Sequence, residues 1–123
     1  MLDLHTFSIV AHDPAVGAFG VAVATARPAV GALVPFVSLH GGIATQARVS
    51  TEIGRRGIAL LEQGVPVGTA LRTLLTDDAD RNIRQVHGVD AAGSFCHTGA
   101  DCVSWCGHHE GDGFTAAGNM LAG

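Results

Sequence analysis

The stretch His5-Thr-Phe-Ser-Ile-Val-Ala-His-Asp-Pro-Ala-Val-Gly-Ala-Phe-Gly-Val-Ala-Val-Ala24 decides how the rest of the chain is read. Phe7, Ile9 and Ala11 alternate with Ser8, Val10 and His12, which is the two-residue period of a β-strand. Asp13-Pro14 supplies turn chemistry, since aspartate bonds its own backbone and proline presets φ. Gly17 closes the turn. Phe19 to Ala24 then returns almost without polar side chains, the pattern of a strand buried on both faces. The remaining elements are expected to be laid over this hairpin.

Outward from it, residues 25–31 read as irregular, because Pro28 cannot continue a ladder and Gly31 permits a bend. Residues 32–39 are apolar and extended, Gly41-Gly42 turns the chain, and 43–47 form a short strand. The period then changes. Ile53, Gly57, Leu60 and Leu61 share a helix face, with Ser50 or Thr51 as cap and Gly64 as stop. Pro66 suits the first turn of a second helix, in which Val67, Ala70, Leu71 and Leu74 fall at i, i+3, i+4 and i+7. Strands return at 84–89, 94–98 and 103–105. Residues 108–113 read as a loop, and 114–121 as a last apolar strand. The order β, then α, then β predicts an α+β fold in one domain over 1–123, its helices on one face of a sheet.

The chain has 123 residues, is 47% hydrophobic and carries a net charge of −4, so a packed core is expected. It has no basic stripe, which argues against nucleic-acid binding. Arg55 and Arg56 stand beside Glu52 and Glu62 as a solvated helix face. No apolar run reaches membrane-spanning length, and no signal peptide is visible. Three cysteines form no disulfide framework, and a cytoplasmic protein without membrane contact is expected. No glycine-rich phosphate motif occurs, so no cofactor is expected. Cys96, His97, Cys102, Cys106, His108 and His109 concentrate soft ligands, but without a Cys-x2-Cys knuckle they read as inert thiols and no metal is expected.

Seven motifs carry a resemblance. They are Thr-Phe-Ser-Ile-Val-Ala-x-Asp at 6–13, Ala-Val-Gly-Ala-x-Val-Pro at 29–35, Ala-Thr-Gln at 44–46 and Arg-Gln-x-x-x-Val-Asp at 84–90. Thr-Gly-x-x-Cys at 98–102, Trp-x-Gly-His at 105–108 and Gly-Asn-Met-Leu-Ala-Gly at 118–123 complete the set. Together they resemble the domain of unknown function 1028 family, from Thr6 to the last residue. That family is similar to the N-terminal-nucleophile (Ntn) hydrolases, which implies four layers, αββα. Its members continue beyond the Gly-Asn motif with a further helical layer and strands. The resemblance therefore implies a fold truncated after its second β run, with a bare sheet face. Association as a homo-oligomer or with a complementing chain is expected.

The resemblance also implies a site. In Ntn hydrolases the first residue of the first strand is the nucleophile and its own α-amine, with an ordinary pKa of about 7.7–8.0, is the base. Thr6 holds that place, but residues 1–5 precede it, so the mechanism requires their removal or His5 as base. Ser8 is the nearest hydroxyl on the same strand. Gln46 and Asn119, within family motifs, offer side-chain amides to a developing oxyanion, and Thr45 is a candidate substrate contact. Read from the residues alone, His108 with Asp112 is a candidate acid–base pair or substrate contact, and Arg27 a candidate anion contact. The expected activity is hydrolysis of a small amide or peptide-like substrate. The alternative is a non-catalytic member serving as a binding or assembly module.

Overall fold

In the computed structural model, which describes residues 5–26 and 30–122, the opening hairpin forms as its alternation requires. Strands β1 (Thr6–Asp13) and β2 (Ala18–Thr25) pair antiparallel, with Thr6 opposite Thr25 and Asp13 opposite Ala18. The Asp13 carboxylate accepts from Ala15 N at 3.0 Å, the local bond expected of a turn aspartate. Then follow β3 (Pro35–Ser38), β4 (Gly41–Ala47), α1 (Thr51–Glu62), α2 (Val67–Thr76), β5 (Arg84–Asp90), β6 (Ser94–Thr98), β7 (Gly107–Gly111) and β8 (Phe114–Asn119).

Two antiparallel sheets result. The first runs β2-β1-β8-β7 and the second β3-β4-β5-β6. They stack face to face, and both helices pack on the far side of the second sheet. The fold is α+β, layered helix, sheet, sheet. Ile43 and Val86 point from β4 and β5 into the helices and join Ile53, Leu61, Leu71 and Leu74 in one core. A fully buried leucine such as Leu71 contributes about 2–3 kcal/mol by leaving water. Val10, Val34, Ala44 and Val89 form a second core between the sheets. Here the sheets approach so closely that a Cβ on Gly42 would lie 2.8 Å from Val10 Cγ1.

The helices begin and end where expected. Ser50 Oγ accepts from Ile53 N at 3.1 Å, and Gly64 sits at φ 86° after α1. Gly57 faces the core, where a Cβ would meet Ile43 Cδ1 at 2.6 Å. Val67 N, an orphan donor at the start of α2, is bonded by Asp90 Oδ2 at 2.8 Å, a tertiary cap invisible to local pattern.

Several expectations are corrected. β2 is an edge strand whose Ala18, Gly20, Ala22 and Ala24 are exposed, so its apolar run does not mean burial on both faces. Gly41 and Gly42 lie within β4, their missing side chains serving close packing, and the turn falls just before them. Of the apolar stretch 32–39 only Pro35–Ser38 is a strand, preceded by a 3-10 turn at Val30–Ala32. Residues 103–105 form no strand; Trp105 instead exchanges backbone bonds with Leu121. The polar run at 108–113 is mostly β7, an edge strand that tolerates polar side chains because solvent reaches it.

Candidate functional site

Alternation turns Thr6, Ser8 and Val10 of β1 toward the second sheet. Register carries Thr25 of β2 and Asn119 of β8 to either side of Thr6. From the second sheet, Gln46 of β4 stands opposite Gln85 of β5, and Ala44 opposite His87. Where the sheets meet toward the Thr6 end, the inward positions are therefore polar. Ser8, Gln46, Gln85, His87, Thr115 and Asn119 are all buried there.

Buried polar groups require partners, and these supply one another. Gln85 is the hub. The two protons of its Nε2 go to Gly118 O at 2.7 Å and Gly107 O at 3.0 Å, with Thr98 Oγ1 also close at 3.1 Å. Its Oε1 accepts from Gln46 Nε2 at 2.9 Å and Asn119 Nδ2 at 3.0 Å. Gln46 Oε1 in turn accepts from Ser8 Oγ at 2.5 Å. Ser8 Oγ lies 2.7 Å from His87 Nε2, and His87 Nδ1 lies 2.8 Å from Thr115 Oγ1.

The proton positions follow from this chain. Carbonyl oxygens only accept, so the Gln85 amide must present its nitrogen to Gly107 and Gly118. That fixes Oε1 toward Gln46, hence Gln46 Oε1 toward Ser8, hence the single Ser8 proton toward Gln46. His87 Nε2 must then donate to Ser8, and Nδ1 accepts from the Thr115 hydroxyl. The imidazole is a donor to Ser8, so in this arrangement it does not act as a base toward it. Burial, with a smaller contribution from His108, pushes His87 down from 6.5 to about 4, keeping it neutral.

Thr6 closes the end of the site. Its Oγ1 is 2.9 Å from Thr25 Oγ1. The peptide bond to His5 continues into the ladder: His5 O accepts from Ala26 N at 3.0 Å, and the His5 ring bonds Met120 O. Ala47 and Met120, which directly follow Gln46 and Asn119, hold φ of 62° and 55°. Left-handed backbone at a non-glycine residue costs roughly 1–2 kcal/mol and collects at functional sites.

The other sequence candidates separate. Thr45 faces the helices with Ile43 and Val86, away from Gln46; its buried Oγ1 has no partner among the described residues. Thr45 thus sits buried on the helix side of the second sheet, apart from the Gln46 network. His108 reaches the network through Thr98 Oγ1, 2.9 Å from its Nδ1. Asp112 is not its partner. It lies in the β7–β8 turn, lining a cavity of ≈ 450 Å³ with His12, Asp90 and Ser94 at the opposite end of the sandwich. Arg27 falls outside the described residues. The three cysteines are unpaired, and burial followed by Glu110 pushes the Cys96 thiol up to about 12.

His87, Gln85, Thr98 and Thr115 are not among the site candidates the sequence names, although Gln85 and Thr98 are fixed positions of the motifs at 84–90 and 98–102. A further signal lies in 84–89, where the positions of Gln85 and His87 alternate with those of Val86 and Gly88. In a strand covered on both faces, such polar positions must find each other.

The profile of a family of unknown function, DUF1028, matches residues 6–123. A solved protein from Silicibacter pomeroyi, SPO2555, described as of the same family, superposes with a TM-score of 0.91 at 34% identity. The match covers 97% of this chain and 56% of that one, so the chain spans little more than half the length of that protein. No curated protein matches.

Proposed function

Because the chain belongs to the DUF1028 family, whose function is unknown, we propose its activity from the Thr6 end of the sandwich: a latent Ntn-type hydrolase acting on a small amide or peptide-like substrate. On this reading the helix, sheet and sheet layers are three of the four layers of an αββα fold. The observation that carries it is the placement of the Thr6 hydroxyl at the head of β1, between Thr25 and Asn119 in register.

Removal of residues 1–5 does two things at once. It frees the Thr6 α-amine, and it dissolves the His5 contacts that close the end of the sheet. The amine then takes the Thr6 hydroxyl proton while Oγ1 attacks the substrate carbonyl carbon. The C–N bond breaks as the leaving nitrogen takes that proton back, and water hydrolyses the ester left on Oγ1. Asn119 spends one N–H on Gln85 Oε1 and is itself buried, so its second N–H reaches an oxyanion only once loss of the His5–Met120 contact opens this end. Ser8 and Gln46 are sealed between the sheets, so their part is to hold this end in shape.

A second reading, a non-catalytic binding or assembly module, is favoured by the anchoring of His5 and by the Ser8 proton already committed to Gln46. A chain starting at Thr6, compared with the full chain on a panel of small amides, separates the two. The hydrolase reading expects turnover by the Thr6-first chain alone, lost in its Thr6→Ala variant. A folded but inert Thr6-first chain leaves the module.

A further inference from the structure

The segment 99–106 joins the two sheets at the Thr6 end. Gly99 N donates to Arg84 O at 2.9 Å and Asp101 N to Asn82 O at 2.8 Å, which ties the segment to the start of β5. Val103 O accepts from Met120 N at 3.1 Å, and Trp105 and Leu121 exchange bonds of 3.2 and 3.0 Å, which ties it to the chain just after β8. Met120 is the residue held at φ 55°, and its carbonyl bonds the His5 ring. Two of the three thiols bracket this pinned stretch, Cys102 before it and Cys106 after it. The Cys102 thiol is buried and donates to Arg84 O at 3.4 Å. The Cys106 thiol is half-buried and donates to Cys102 O at 3.4 Å. A carbonyl oxygen lies about 2.4 Å from its own Cα, so the Cys106 sulfur is within about 6 Å of Cys102 Cα. A bond between the sulfurs then needs side-chain rotation and a small adjustment of the turn, not unfolding. When the Cys102 thiol turns away, Arg84 O keeps its Gly99 partner and no carbonyl is stranded.

We propose that Cys102 and Cys106 are a dithiol modification site, closed reversibly to an intramolecular disulfide by a small-molecule disulfide, and that closure staples the segment holding Met120 and Leu121. The Cys106 thiolate attacks one sulfur of the reagent, whose S–S bond breaks and whose other half leaves as a thiolate. Cys102 then attacks the Cys106 sulfur, the Cys102–Cys106 bond forms and the second half leaves. The two cysteine protons end on the two released thiols, so the reagent is reduced as the pair is oxidised. The order follows from position. Burial, with a smaller contribution from Cys106, pushes the Cys102 thiol up, so the more open Cys106 meets the reagent and Cys102 answers it from within. Cys96 stays outside the pair. It lies on β6 with its Sγ 3.9 Å from His109 O, and burial followed by Glu110 keeps its thiol protonated. This chemistry is independent of whether Thr6 is a nucleophile.

The test exposes the folded 123-residue chain to oxidised glutathione and follows intact mass, thiol alkylation after denaturation, and amide hydrogen exchange. The expected product is lighter by two hydrogens and keeps one alkylatable thiol, on Cys96. Chymotryptic cleavage after Trp105 should leave two peptides joined through Cys102 and Cys106. Exchange of the Met120 and Leu121 amides, which donate to Val103 and Trp105, should slow roughly tenfold and recover with dithiothreitol. Cys96→Ser should oxidise at the wild-type rate. Glutathione left attached to Cys106, a bond that includes Cys96, or three thiols still open to alkylation overturns the proposal. So does a closed pair that leaves exchange at Met120 and Leu121 unchanged. The decisive readings come from wild-type protein and stand even if the variant misfolds.

Discussion

Replacing His87 by glutamine should flatten the acid side of the stability profile. His87 is fully buried, with Ser8 and Thr115 on its two ring nitrogens, and its folded pKa is about 4 against 6.5. Between those two values the unfolded chain binds a proton that the folded chain refuses. The stability tied to neutral His87 is therefore complete above pH 6.5, declines as pH falls, and is gone near pH 4, below which the profile is level again. Each pH unit in that window removes about 1.4 kcal/mol, so the whole window removes about 3 kcal/mol. Asp78 does not confuse the reading. Its hydrogen bond with Arg84 holds its carboxyl below the ordinary 3.8, so the stability it adds is lost only beneath the window. His87→Gln keeps an amide donor near Ser8 and removes the titration. Urea unfolding at intervals from pH 7 to 4.5 should show wild type losing stability more steeply than the variant by nearly one proton's slope. Parallel profiles would refute the claim that His87 is held neutral between the sheets.

Other outcomes follow from the same contacts. Thr45→Val removes a buried hydroxyl that has no partner among the described residues and should raise stability by about 1 kcal/mol in thermal denaturation; a loss would mean that hydroxyl is satisfied. Gln85→Leu strands Gln46, Asn119 and the Gly118 carbonyl together and should cost about 4 kcal/mol in urea unfolding, whereas a near-neutral change would mean the hub is dispensable. Nitrogen NMR of labelled protein should find the His87 proton on Nε2 at neutral pH. Finding it on Nδ1 would reverse the deduced hydrogen-bond chain and restore His87 as a base toward Ser8.

The helices were legible because their signals are local. The Ser50 cap, the Gly57 approach and the spacing from Val67 to Leu74 each lie within a turn or two of their partners. The first hairpin was legible for the same reason. β7 was not, because an edge strand may be polar, and the charge and histidines of 108–110 mimic a loop. The site was half visible. Thr6, Ser8, Gln46 and Asn119 were marked by motif and do lie toward one end, but their connection runs through Gln85 and His87, contributed by a strand distant in sequence. Whether a polar residue faces a core or solvent depends on which sheet later covers it. That is why Thr45 and Gln46, adjacent in sequence, part company, one behind the sheet and one within the network.

The central claim, that Thr6 is a nucleophile awaiting a free α-amine, is tested most directly by covalent labelling. A strained β-lactone is offered to the Thr6-first chain and to the full chain, and the adduct is located by intact mass and peptide mapping. The account predicts one acyl adduct on Thr6 of the shortened chain and none on the full chain. An unlabelled, folded Thr6-first chain, or equal labelling of both, would contradict it.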